Sequence, residues 1–164
     1  MSRRDNFYPT WRLLLDPRYF FALGLGSGLS RWAPGTCGTI AALPFFLLFL
    51  SSRAPIEYFL IVTIAFLLGI YICREISKEM KIADHPSIVW DEFVGLWITL
   101  FGLPNEIDWL IAGVVIFRLL DIAKPWPVSL IDSRIKGGFG IMLDDAVAGL
   151  IGCCILNLVN HVFF

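Results

Sequence analysis

Two adjacent pairs of acids, Asp91–Glu92 and Asp144–Asp145, are the residues most able to do chemistry in this chain. The first pair lies in Ile88-Val-Trp-Asp-Glu-Phe-Val-Gly95, the second in Gly137-Gly-Phe-Gly-Ile-Met-Leu-Asp-Asp-Ala-Val-Ala-Gly149. Each sits at the mouth of an apolar segment, with no basic residue within four positions. Paired carboxylates repel, and apolar surroundings raise that penalty unless a cation neutralises them. The cation suited to an all-oxygen site is Mg²⁺, which usually takes one or two carboxylates plus substrate phosphate. The pairs therefore point to a metal site and an enzyme.

A third charged set supports this. In Phe117-Arg-Leu-Leu-Asp-Ile-Ala-Lys-Pro-Trp-Pro127, Arg118, Asp121 and Lys124 recur every three residues, close to one helix face. Arg118 and Asp121 could form a plain intrahelical ion pair. Three charges entering straight from an uncharged stretch more often line a polar cavity than face lipid. One acid for metal and two cations for phosphate oxygens suit phosphoryl chemistry.

The glycine-rich stretch is weaker. Gly24–Ser30 and Pro34–Thr39 would let backbone N–H groups approach an anion, with Thr36 and Thr39 as hydroxyl donors. It lacks the order of a dinucleotide fingerprint and the terminal Gly-Lys-Ser/Thr of a P-loop. A turn with close helix packing explains it as well as a phosphate cradle does. Thr36 is expected as the N-cap of the run that follows. In Asp84-His-Pro-Ser87, a helix starting near Pro86 would be capped by Asp84 or Ser87. His85 reads first as a surface loop residue, with an acid–base role second. Asp144–Asp145 read as the opening of the last helix, after a flexible Gly137, Gly138, Gly140 approach.

Positioning these groups falls to helices. Of the 164 residues, 57% are hydrophobic and 16% charged, against about 25% charged in ordinary soluble domains. Five uncharged stretches stand out: 36–52, 58–73, 93–105, 109–117 and 146–164. A spanning helix needs about 17–25 residues, which the first and last meet. The second approaches that length if Pro55, Ile56 and Glu57 are its entry. The other two suit buried or re-entrant helices. Extended apolar–polar alternation is nearly absent, so the expectation is all-α: a compact multi-helix, membrane-associated bundle, one domain over residues 1–164.

Charge placement orients it. Arg3, Arg4, Arg12 and Arg18 precede the first run; Arg74, Lys78 and Lys81 follow the second; Arg118, Lys124, Arg134 and Lys136 precede the last. By the positive-inside rule these segments face the cytoplasm, and every acid pair then lies on that side. The N-terminus shows no apolar signal region, so export is not expected. A net charge of −1 gives no sign of nucleic-acid binding. Cys37, Cys73, Cys153 and Cys154 have no zinc spacing and read as small hydrophobes.

Taken in order, these segments closely resemble the phosphatidylglycerophosphatase A family across nearly the whole chain. Trp-Asp-Glu-Phe, Phe-Arg-Leu-Leu-Asp-Ile-Ala-Lys-Pro-Trp-Pro and Gly-Ile-Met-Leu-Asp-Asp carry the likeness. The resemblance implies a compact helical fold and a Mg²⁺-dependent phosphatase of the bacterial inner membrane, facing the cytoplasm. Its substrate would be phosphatidylglycerophosphate in the bilayer, and its products phosphatidylglycerol and phosphate. Asp91, Glu92, Asp121, Asp144 and Asp145 would hold the metal; Arg118, Lys124, Thr36 and Thr39 would hold the phosphate.

The residues leave the nucleophile open between water and a carboxylate. The chain has no cysteine–arginine phosphatase loop, no phosphohistidine motif pair and no DxDx[TV] start. Two other classes remain as alternatives. A lipid phosphotransferase of the CDP-alcohol type would share acids and Mg²⁺, but its long acidic pattern is missing. A small ion-coupled transporter would place acids inside a span.

Overall fold

The computed structural model describes residues 9–163. Among them are seven α-helices, two 3-10 stretches (Trp11–Leu15 and Gly24–Leu29) and no strand. The helices are α1 (Pro17–Ala22), α2 (Pro34–Phe49), α3 (Pro55–Met80), α4 (Trp90–Thr99), α5 (Ile107–Ala123), α6 (Val128–Arg134) and α7 (Gly137–Phe163). Arg3, Arg4 and the N-terminal signal reading lie outside the described residues.

Prolines set the starts. Pro17, Pro34 and Pro55 each occupy the first turn of their helix, where a missing N–H is harmless. In α3 the acid Glu57 sits in the first turn and Lys78 in the last, matching the helix dipole. Lys81 and Lys124 end α3 and α5 in the left-handed conformation.

The shortest of the central helices organises the rest. α4 packs on α2, α3, α5 and α7, and all of it except Ile98 is buried. Its two tryptophans are hydrogen-bond donors as well as filling. Trp90 Nε1 donates to the Ala65 carbonyl of α3 and Trp97 Nε1 to the Ala42 carbonyl of α2, each at 3.1 Å. Phe93 stacks on Trp90 at 5.5 Å between ring centroids and is fully buried. Tyr58 on α3 donates its hydroxyl to the Trp97 carbonyl. A buried indole or phenol without a partner is unfavourable, so these bonds fix the rotation of α4 as well as its depth.

On the opposite side α7 lies flush on α4. A Cβ at Gly149 would overlap the Gly95 carbonyl oxygen, and one at Gly95 would overlap the Phe117 ring. Hydrogen at Gly149 permits the approach of α7, the small-residue packing used by membrane helices, and hydrogen at Gly95 makes room for Phe117 of α5.

Several expectations change. The 36–52 run yields α2, 16 residues long and short of a span. Among the described residues, the two helices long and apolar enough to cross a membrane are α3 and α7. Only 28% of the most apolar stretch of α3 is buried, so most of it faces outward. Thr36 is not a cap: α2 starts two residues earlier, with Ala33 at its N-cap. Neither Asp84 nor Ser87 caps α4, which starts at Trp90 after Val89. His85 is buried rather than at the surface, and its Nδ1 accepts the Ser87 N–H at 3.1 Å. Gly137, Gly138 and Gly140 belong to α7 itself, so Asp144 and Asp145 lie two turns inside it. Of the cysteines, Cys73 is buried, Cys37 and Cys153 are half-buried and Cys154 is exposed.

Candidate active site

The first turn of α4 supplies Asp91 and Glu92; α7 supplies Asp144 and Asp145. The last turns of α5 supply Arg118 and Asp121, and Lys124 stands at its left-handed end. Because Gly149 brings α7 into contact with the α4 backbone at Gly95, acids far apart in sequence meet in one place.

One carboxylate oxygen each from Asp91, Glu92 and Asp145 lie within 4.8 Å of one another. All three residues are buried, and Asp91 Oδ1, Glu92 Oε2 and Asp145 Oδ2 have no hydrogen-bond partner. Buried polar atoms are nearly always satisfied, so three converging exceptions mark a place where something else is meant to bind. The α4 acids are at a helix start, yet they are not solvated there: burial decides against a purely capping or dipole role.

Cations flank this cluster. Arg118 Nη1 lies 2.7 Å from Asp121 Oδ2 and 3.7 Å from Glu92 Oε1. Neither contact has hydrogen-bond alignment, since Arg118 Nε and Nη1 count among the unpartnered buried atoms. Lys124 Nζ bridges Asp132 Oδ1 at 2.7 Å and Asp144 Oδ2 at 2.8 Å. The Asp145 N–H donates to Asp144 Oδ1 at 3.1 Å. Above them opens a cavity of about 160 Å³, lined by Asp84, Asp91, Glu92, Asp121, Lys124, Asp144 and Asp145 with Pro86, Ile88 and Ile141.

The structure thus brings together seven of the nine expected site residues. The other two differ. Thr39 is fully buried and its hydroxyl donates back to the Gly35 carbonyl at 2.9 Å. Thr36 and Thr39 are both absent from the cavity lining. What the loop contributes instead is Gly35, where a Cβ would fall 2.5 Å from Glu92 Oε1 and 3.0 Å from Arg118 Nη1. The start of α2 therefore abuts the acids through the Gly35 backbone, with the Thr39 hydroxyl turned back into its own helix. Asp84 joins the cavity rim rather than a helix cap. Asp132 holds Lys124 from α6 and was not anticipated; no motif surrounds it, and only folding α6 back reveals it.

Six acids, with Lys124 among them and Arg118 beside Glu92, cannot all stay ionised in a closed space. Burial, then the charge of Glu92, pushes the Asp91 carboxyl up. Burial pushes Glu92 up to about 8, with Asp145 and Asp121 adding to it and Asp91 and Arg118 opposing. For Lys124 burial acts downward, but its bonds to Asp132 and Asp144 outweigh that and hold it charged. The donor set is all oxygen, largely unpartnered and rich in negative charge. It fits a hard divalent cation such as Mg²⁺.

A pH dependence follows. An acid whose folded pKa exceeds its unfolded value keeps a proton in the native state that the unfolded state has released. In EDTA the protein is therefore expected to lose stability as pH rises from the ordinary carboxylate range through about 8, the Glu92 value. Millimolar Mg²⁺ should flatten that decline, because the cation takes over from the protons. Melting temperatures from pH 5 to 9, with EDTA or Mg²⁺, provide the check. Equal slopes would show that no cation binds there.

The match to known proteins is extensive. The family model for phosphatidylglycerophosphatase A matches residues 20–160. A phosphatidylglycerophosphatase A of Escherichia coli K12 is 48% identical over 148 residues, covering 89% of this chain and 85% of that protein. One of Haemophilus influenzae is 40% identical over 149 residues, covering 90% and 91%. A Bacteroides thetaiotaomicron protein named as a candidate phosphatidylinositol-3-phosphatase is 35% identical over 153 residues, covering 85% and 91%. No solved structure gives a significant match.

Proposed function

The chain belongs to the phosphatidylglycerophosphatase A family of phosphatases, and from that premise we propose that it hydrolyses phosphatidylglycerophosphate to phosphatidylglycerol and phosphate with the help of Mg²⁺. The observation that carries the reading is the convergence of three unpartnered carboxylate oxygens in a cavity that Lys124 also lines, with Arg118 Nη1 3.7 Å from Glu92 at its edge. Its place in the cell would be the last step of phosphatidylglycerol synthesis at the bacterial inner membrane. There α3 and α7 enter the bilayer and the basic segments face the cytoplasm.

Asp91, Glu92 and Asp145 would hold Mg²⁺, with Asp121 and Asp144 completing the charge around it. Bound Mg²⁺ would neutralise phosphoryl oxygens and make a nearby water more acidic. Arg118 would bind the phosphomonoester oxygens; its buried Nε has no hydrogen-bond partner and is a donor open to an acceptor. Asp121 orients that guanidinium from 2.7 Å. Lys124, held between Asp132 and Asp144, would neutralise charge on the leaving side. Ile88 and Ile141, both buried, give the cavity an apolar wall, and the lowered local polarity strengthens each of these interactions.

A second substrate has a specific support: the Bacteroides relative, whose name puts the phosphate on an inositol headgroup. The transporter reading is the weaker one, since Asp144 and Asp145, two turns inside α7, open into the same cavity as the acids of α4 and α5 instead of lying along a path through the helix bundle.

The test is phosphate release in mixed micelles from phosphatidylglycerophosphate and, separately, phosphatidylinositol 3-phosphate. Release from the first with Mg²⁺, and its loss in EDTA, is expected. No release by folded protein would overturn the substrate, and undiminished release in EDTA would overturn the metal. Faster release from the inositol lipid would move the second reading to the front.

A further inference from the structure

A second pocket, of about 520 Å³, opens where the start of α7 crosses α3. Its lining contains Arg74, Lys78, Lys81 and Lys136 and no acid. Lys78 is paired with Glu75 at 2.8 Å, and Lys136 Nζ donates to the Asp132 carbonyl at 2.6 Å. Arg74 and Lys81 form no ion pair among the described residues.

Two further features turn this basic patch into a site. Ser77 is part of the lining, only 7% exposed, and its hydroxyl has no hydrogen-bond partner. A buried hydroxyl left unpaired is unfavourable, and a ligand in this pocket would supply what it lacks. The 27-residue α7 also begins here, at Gly137 and Gly138, with the unpaired N–H groups of a first helical turn. Ammonium, guanidinium, hydroxyl and amide groups all offer donors. They match an anion with several oxygens, which is the character of a phosphate.

The remaining wall is apolar, with Ile70, Ile82 and Phe139. Phe139 is 45% exposed and packs edge-on against Phe66, 6.5 Å between centroids. Phe66 in turn lines a groove of about 420 Å³ with Tyr58 and Val62 of α3 and Leu150 of α7. A free phosphate has no use for such a neighbour; a lipid has.

We propose that the Arg74–Lys81–Lys136 pocket binds the headgroup phosphate of an anionic phospholipid, whose acyl chain lies along the Phe66–Phe139 groove. None of these residues lines the acidic cavity, so this lipid is a ligand and not the molecule being hydrolysed. It bridges α3 to the first turn of α7, two turns before Asp144 and Asp145.

The test uses the full chain in detergent with EDTA throughout, so that it does not depend on turnover or on Mg²⁺. Dioleoylphosphatidylglycerol or dioleoylphosphatidylcholine is titrated in, and retained lipid is counted by native mass spectrometry. Wild type is expected to prefer the anionic lipid. Removing one surface cation weakens such binding by about fivefold, so Lys81→Gln with Lys136→Gln should cost about 25-fold. Both side chains are exposed, and an unchanged melting temperature shows that the variant is folded. Ser77→Ala, which removes only the unpartnered hydroxyl, should weaken the anionic lipid and leave phosphatidylcholine unaffected. Equal retention of the two lipids by wild type, or an unchanged preference in the double variant, would overturn the proposal. So would calorimetry showing that inorganic phosphate binds wild type as tightly as the lipid and is lost in the variant.

Discussion

Asp145→Asn is expected to lower phosphate release from phosphatidylglycerophosphate by on the order of 10³-fold, while the metal-free protein melts at the same temperature or higher. The two halves of that result come from one fact. Asp145 Oδ2 has no partner, and its carboxylate faces those of Asp91 and Glu92 within 4.8 Å. Asparagine keeps the shape and removes a charge from a crowded, buried set, which relieves repulsion in the absence of a cation. With Mg²⁺ present the order should reverse, since wild type gains stability from the ion and the variant gains less. Activity lost together with a lower melting temperature in EDTA would mean that Asp145 holds the fold and not a metal.

Gly149→Leu should be nearly as damaging without touching a charge. A Cβ at that position overlaps the Gly95 carbonyl oxygen, which is backbone and cannot rotate away. Even Gly149→Ala is expected to destabilise by about 1–3 kcal/mol, the range for overpacking a fitted interface. Leucine must push α7 off α4, and α4 and α7 carry the facing carboxylates. Mg²⁺ should then raise the melting temperature of the variant less than that of wild type. A Gly149→Leu protein that melts and turns over normally would show that this crossing does not set the site.

The acidic pairs and the Arg118–Asp121–Lys124 spacing were legible in sequence because charge in an apolar background is rare and needs a reason. The all-helical class was legible for the same reason: long uncharged stretches have few other ways to satisfy their backbone. Boundaries were harder. A proline starts α2 at Pro34, so Thr36 fell inside the helix and does not cap it. Glycine was read as loop at 137–140, yet α7 tolerates it because Gly138 lies directly against the α3 backbone at Ile70 and Arg74. Gly35 and Asp132 depend on contacts between α2, α4, α5 and α6 that no local pattern encodes. The burial of His85 likewise follows from packing, not from its neighbours in sequence.

The position of Asp145 within α7 has a kinetic consequence. From Asp145 to Phe163 the helix runs roughly 27 Å at 1.5 Å per residue, close to the roughly 30 Å of a bilayer's hydrocarbon core. With that length embedded as proposed, the carboxylates stand at headgroup height, and substrate arrives by diffusion within the leaflet. Turnover would then follow the mole fraction of substrate in the surface, not its amount per litre. Diluting the micelle with inert detergent at fixed total substrate should slow the enzyme as surely as removing substrate does.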